Sequence, residues 1–395
     1  MITFKQLNCN FAQSDSMRLK KWVLVFLTGV FTCIQAQTID ILTVQKQAEL
    51  GDTEAQVILG DVYMEGKDLA QNFEKACYWY HKAAEQGSSA GAVNYAYMLQ
   101  NGLGTKKDSI SAFQWYQKAA EMGDAAGMYN VGSFYELGIV VPKNEEKAML
   151  WYRKSALLQN PMGQNALADC YMYGKGVKKN PETAIYWYRQ AAEQDFDLAQ
   201  YNLGLCYEEG TGVQKNLKTA LEWYKKAAKN DFADALYAIG TFYEQGYAVH
   251  KNIDKAIDYY QKAANYGYLP AIYDLGVCYE NGKGVKQDIP KAVEYYEKAA
   301  QQGFPPALSA IAMLYYEGIY GKNQDYKKAF SYFEQAAIEQ EPYSLYMLTF
   351  MYAIGQGVEQ NLEKAKLFYK KAKEVAEDKE IIEKLAELNK EYNLE

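Results

Sequence analysis

The residue types that most often do chemistry are sparse in this chain. It carries two histidines, His81 and His250, and six cysteines among 395 residues. Metal ligation and acid–base work need such residues, with carboxylates, at short fixed spacings. Neither histidine sits in a pattern of that kind, and both read as surface residues. His81 follows Trp79-Tyr80 on an exposed helix side, and His250 lies in a loop. HExxH, the Walker loop and Ser-x-x-Lys are all absent from the sequence. Gly-x-Gly occurs at 102, 174, 210, 282 and 355, but no third glycine follows at dinucleotide spacing after a strand. No catalytic residue, metal ligand or cofactor follows from the sequence. A net charge of -7 and a pI near 5.3 argue against nucleic acid as partner. The chemistry that remains is recognition: 37 tyrosines, far above ordinary usage, with asparagines spaced among them.

Those tyrosines are placed by a repeat. Small residues recur every 36 positions at Ala55, Gly91, Gly127, Gly163, Ala199, Ala235, Ala271 and Ala307, then at Ser344 after a one-residue insertion near Gly321. Glycine recurs from Gly66 to Gly355, asparagine or aspartate from Asn72 to Asn361, and alanine from Ala76 to Ala365. An aromatic pair follows each of these alanines, from Trp79-Tyr80 to Phe368-Tyr369. Of the 37 tyrosines, 24 fall in four columns of the repeat.

Each column has a mechanical reason. Small and apolar residues at spacings of three and four, as over 55–65, mark a helix face. Gly66 and its equivalents end that helix as left-handed caps. Asn72, Asp108 and their equivalents start the next by accepting from its free N–H groups. Pro181 stands where proline suits a first turn. The second helix presents Ala76, Tyr80, Ala83 and Ala84 on one side. The small column at Gly60, Ala96, Gly132, Ala168 and Gly204 lets the partner helix approach closely. One such hairpin leaves apolar surface open and must stack on its neighbours. The expectation is an all-α, right-handed α/α solenoid of nine 36-residue helix pairs over 54–373. A capping helix is expected within 37–53 and a second over 374–395.

Residues 1–36 read as a separate leader. Arg18, Lys20 and Lys21 precede a 13-residue apolar run from Trp22 to Ile34, and Ala36 offers a small cleavage residue. This is the pattern of a secretory signal peptide, with Met17 an alternative start and Cys33 an alternative lipid-anchor point. The run is too short to span a bilayer, which takes about 20 residues. An exported chain, secreted or in the periplasm or cell envelope, is therefore expected, without a membrane span once processed. Cys170, Cys206 and Cys278 share one phase on the first helix. Neighbouring first helices stand about 10 Å apart, beyond disulfide reach of roughly 7 Å, so buried free thiols are expected.

The pattern Ala199-x-x-x-Leu-Gly204, Tyr207, Gly210, Gly212, Val213, Asn216, Ala220, Trp223-Tyr224 and Ala227-Ala228 resembles the Sel-one-like repeat family, a relative of tetratricopeptide repeats. Leu99 and the eroded ninth repeat depart from it. The resemblance implies an adaptor that holds partners in a concave groove lined by first helices. It also leaves open a second class, a hydrolase or ligand binder acting on cell-wall material or β-lactams, as suggested for cysteine-rich relatives. By this analogy the third and fourth positions of the first helices face a partner: Asn94, Tyr129, Asn130, Tyr201, Asn202, Tyr237, Tyr273 and Asp274. Amides there would bond an extended peptide and rings would cover its side chains. Asn and Tyr in these columns also suit packing between repeats. The partner is expected to be a protein or peptide and the chain a monomer. Glu136, Glu208, Glu244 and Glu280 form an acidic row read as a solvated face, or else as a match for a basic partner segment.

Overall fold

The computed structural model describes residues 40–395, and the leader lies outside the described residues. Among the described residues the regular structure is helical, with 20 α-helices, one short 3-10 turn and no strand. After an N-terminal helix, Ile41–Glu49, the chain runs through nine helix pairs. They begin with Thr53–Glu65 and Phe73–Glu85, end with Pro342–Ile354 and Leu362–Val375, and are followed by a last helix, Lys379–Tyr392. The described chain forms two compact units that divide between Phe196 and Asp197. Within each unit successive pairs pack side by side as a solenoid.

The ends of the helices follow from the columns. Gly66, Gly102 and Gly138 close their first helices in the left-handed conformation, with φ of 72°, 67° and 69°. Asn72, Asn144, Asn252 and Asn361 each accept from the backbone N–H three residues on. The N–H of each cap residue donates back to the eleventh residue of the preceding first helix, as Asn72 to Tyr63 and Asp108 to Leu99, both at 2.8 Å. This clasp uses backbone alone, so the leucine at 99 leaves it intact. In the eighth repeat the clasp joins Asp325 to Tyr315 across one extra residue. The insertion is absorbed in the loop, where Tyr320 and Gly321 take φ of 53° and 80°.

Packing within a pair rests on a tyrosine driven against a glycine. Tyr80 and Tyr224 are at most 1% exposed. A Cβ at Gly60 or Gly204 would lie 2.5 Å from that ring. A tyrosine carries roughly 150–250 Å² of burial, so this column supplies much of each pair's core. The second glycine of Gly-x-Gly serves the next layer. At Gly176 a Cβ would collide with the Glu145 backbone of the preceding second helix.

A helix stands at each end of the repeats. The helix at the start is a shortened second helix in which Val44 and Ala48 stand in the columns of Tyr80 and Ala84 and are buried. At the other end the ninth second helix continues to Val375, and the last helix begins only at Lys379. Asp378 causes the later start, because its carboxylate caps Glu380 and Ile381. Leu385 and Leu388 then bury against the ninth pair.

Candidate partner-binding face

The third column of the first helices is held by aromatic packing. Tyr129, Tyr201, Tyr237 and Tyr273 each lie against the buried tyrosine of their own second helix, Tyr152, Tyr224, Tyr260 and Tyr296, with centroids 5.3–5.6 Å apart. Three of them also meet an aromatic residue that precedes the next first helix: Tyr201 with Phe232, Tyr237 with Tyr268, and Tyr273 with Phe304. Tyr201 is buried at 6% exposure, while the other three rings stay half-buried.

The fourth column is more varied. Asn94 is buried, also at 6%. Asn130 is half-buried and donates to the Ala126 carbonyl at 2.9 Å, and Asn202 is half-buried. Asp274 accepts from the Tyr237 hydroxyl at 2.8 Å, a bond from one repeat to the next. Burial raises the Asp274 carboxyl to about 6, and the bond from Tyr237 only partly opposes the rise.

The acidic row is not a solvated face. Glu136, Glu208, Glu244 and Glu280 accept from the hydroxyls of Tyr152, Tyr224, Tyr260 and Tyr296 at 2.5–2.6 Å. A buried phenol must find a partner, and these carboxylates supply it. In the first and fourth repeats the same position holds Met64 and Met172. There an aspartate one turn earlier takes over, Asp61 for Tyr80 and Asp169 for Tyr188. In the eighth repeat both partners change, to Phe333 and Tyr316.

The environment then sets each carboxyl differently. Asp61 and Asp169 are pushed up to about 7, burial being the main cause and the tyrosine bond opposing it. Glu136 and Glu244 go the other way. Burial pushes them up, but lysines from the following repeat, Lys175 and Lys283, together with the tyrosine bonds, hold them below the usual carboxylate range. Tyr247 stands where Glu208 would meet such a lysine. Burial accordingly leaves Glu208 above its ordinary value despite the Tyr224 bond.

The chemistry-bearing residues are otherwise packed. Cys77, Cys170 and Cys278 are buried free thiols, and Cys206 is buried. Burial pushes the Cys77 and Cys278 thiols up to about 11 and Cys170 to about 12. Such thiols carry almost no thiolate near neutral pH, the form that reacts. His81 is more enclosed than an exposed helix side implies. Its ring lies 4.4 Å from that of Tyr95 and 6.0 Å from Trp115, and Nε2 is 3.7 Å from Glu85. His250 is exposed in its loop. Among the described residues no group of three His, Cys, Asp or Glu is placed to hold a metal ion. None of the described helices is long and apolar enough to cross a membrane.

Comparison with known proteins agrees with this architecture. Nine segments match the Sel1 repeat: residues 53–88, 89–124, 125–160, 161–196, 197–232, 233–268, 269–304, 305–339 and 342–374. The chain belongs to the Sel1 repeat family. It is similar to a solved Sel1 repeat protein from Oxalobacter formigenes, with 31% identity and a TM-score of 0.56, over 62% of this chain and 99% of that one. It is similar also to c5321, a protective antigen present in uropathogenic Escherichia coli strains, with 26% identity and a TM-score of 0.55, over 85% and 79% of the two chains. A shorter match, 35% identical over 77 residues, is to the ERAD-associated E3 ubiquitin-protein ligase component HRD3 of Candida glabrata. It spans 20% of this chain and only 9% of that protein. Sel1 repeat proteins generally mediate protein–protein interaction, and the fold is typically non-catalytic.

Proposed function

We propose that this chain is a non-catalytic scaffold of the cell envelope that holds an extended protein segment along its first helices. One observation carries the reading: in the second unit the half-buried polar groups Asn202 and Asp274 stand beside rings already fixed by stacking, and Asn130 holds the same repeat position in the first. A surface whose side chains are immobilised beforehand loses less entropy on binding. In this reading Tyr129, Tyr237 and Tyr273 offer ring surface and the half-buried polar groups meet the peptide backbone, while the buried Asn94 and Tyr201 stay out of the contact. Export is supported by the basic and apolar pattern over 18–36.

The test is photocrosslinking in native cells. A photoreactive residue at Asn202 is expected to capture discrete proteins, whereas one at the exposed Glu222 of a second helix is not. Equal capture at both positions would remove the reading. Mass spectrometry of the same material should find a chain shortened near residue 36. A cytosolic chain still starting at Met1 or Met17 would contradict export.

A further inference from the structure

The second unit contains a feature that departs from the repeat. A cavity of about 430 Å³ opens between the second helices of the fifth and sixth repeats. Leu236 and Ile239, at 3% and 1% exposure, contribute to its apolar floor. Lys225, Lys229 and Lys262 line it and are exposed. The Tyr259 ring belongs to its wall, with the Lys262 ammonium 5.2 Å from the ring centroid. The Tyr266 hydroxyl donates to Asp231 at 2.6 Å, so this carboxylate of the lining already has a partner.

One of these lysines departs from the repeat: Lys262 lies in a column that also holds Lys82, Lys118, Lys154, Lys226, Lys298 and Lys371, whereas Lys229 breaks its own column. The net charge is -7, and the position of Lys229 holds Glu85, Glu121, Glu193 and Glu374 in the first, second, fourth and ninth repeats. Lys225, in the last turn of its helix, and Lys229, in the 3-10 turn that follows, place two like charges four residues apart. Neither forms an ion pair with a carboxylate among the described residues. The pull of a helix C-terminus favours one cation there, but it does not account for three around one apolar floor.

We propose that this cavity binds an organic anion: a phosphate or carboxylate group on a planar apolar body, the charge among the three lysines and the body on Leu236 and Ile239 beside Tyr259. An anion there would relieve the repulsion between Lys225 and Lys229. The site is separate from the first-helix face and does not depend on it.

Calorimetric titration of the full chain with phenyl phosphate, benzoate and inorganic phosphate tests this. Phenyl phosphate is expected to bind saturably at one site and at least tenfold more tightly than inorganic phosphate. Lys229→Glu installs the residue that four other repeats carry there, so the fold should tolerate it. It is expected to weaken phenyl phosphate at least tenfold with the helical circular dichroism unchanged. Lys286→Glu, away from this cavity, should leave binding as it is. A phosphotyrosine peptide bound more than tenfold tighter than phenyl phosphate would show that the anion arrives on a protein. Parity between the two would show a small-molecule site. No saturable binding, inorganic phosphate bound as well as phenyl phosphate, or a Lys229→Glu chain that binds unchanged would each overturn the proposal.

Discussion

The two units start their first helices differently. In the first, Asp52, Ser88, Asp124 and Asn160 cap them through side-chain oxygens that accept from the N–H of Ala55, Gly91, Gly127 and Gly163. In the second, Phe232, Tyr268 and Phe304 occupy that place and make no side-chain cap bond. Their rings instead pack on Tyr201, Tyr237 and Tyr273 of the preceding repeat, at centroid distances of 5.7, 5.2 and 5.8 Å. A hydrogen bond fixes the chain entry in the first unit, and a ring contact between repeats fixes it at these three entries of the second, where the ninth-repeat first helix is instead capped by the Glu341 carboxylate. The ring contact does more, because it also immobilises the column proposed to meet a partner.

This difference can be broken by mutation, and the largest effect belongs to the second unit. Phe232→Ala removes a ring from a packed contact and should cost about 3 kcal/mol or more, read as a lowered urea midpoint. Gly204→Ala, which places a methyl 2.5 Å from Tyr224, should cost about 1–3 kcal/mol through overpacking. Asp124→Ala in the first unit should cost only about 1 kcal/mol, the usual worth of a cap. A cap variant more damaging than the ring variant would reverse the comparison.

Titration sharpens the same contrast. Asp61 and Asp169 in the first unit have folded values near 7, raised from 3.8. A carboxyl whose folded value is raised binds its proton more tightly when folded. Its contribution to stability therefore falls as pH rises from about 4 to about 7 and is flat outside that window. Asp169→Asn should flatten this part of the stability profile, measured by urea unfolding at several pH values. An unchanged slope would contradict the burial of Asp169. Smaller still is the effect of Lys175→Met. It should lift the Glu136 carboxyl above the ordinary range, as burial does for Glu208, visible in carboxyl NMR titration, with little change in stability.

Much of this architecture was legible in the sequence, because caps, left-handed glycines and small packing positions are local and recur. The pairing of tyrosine with carboxylate was not, since it depends on which side chains face each other across two helices. A signal was nevertheless present. Aspartate appears at 61 and 169 in the two repeats that carry methionine at 64 and 172. A similar trade ties Phe232, Tyr268 and Phe304 to Tyr201, Tyr237 and Tyr273. Charge along the acidic row points to solvent when the sequence is read alone, whereas a buried phenol needs an acceptor. The candidate columns were legible only as columns. Burial of Asn94 and Tyr201 depends on how each neighbour fills its layer.

The most direct test of the central claim uses a partner captured by crosslinking. Its affinity is measured for the full chain and for a chain carrying Asn130→Ala and Asn202→Ala. At least a tenfold loss of affinity is expected, with the urea midpoint nearly unchanged. Undiminished affinity in that double variant would show that the partner is held elsewhere.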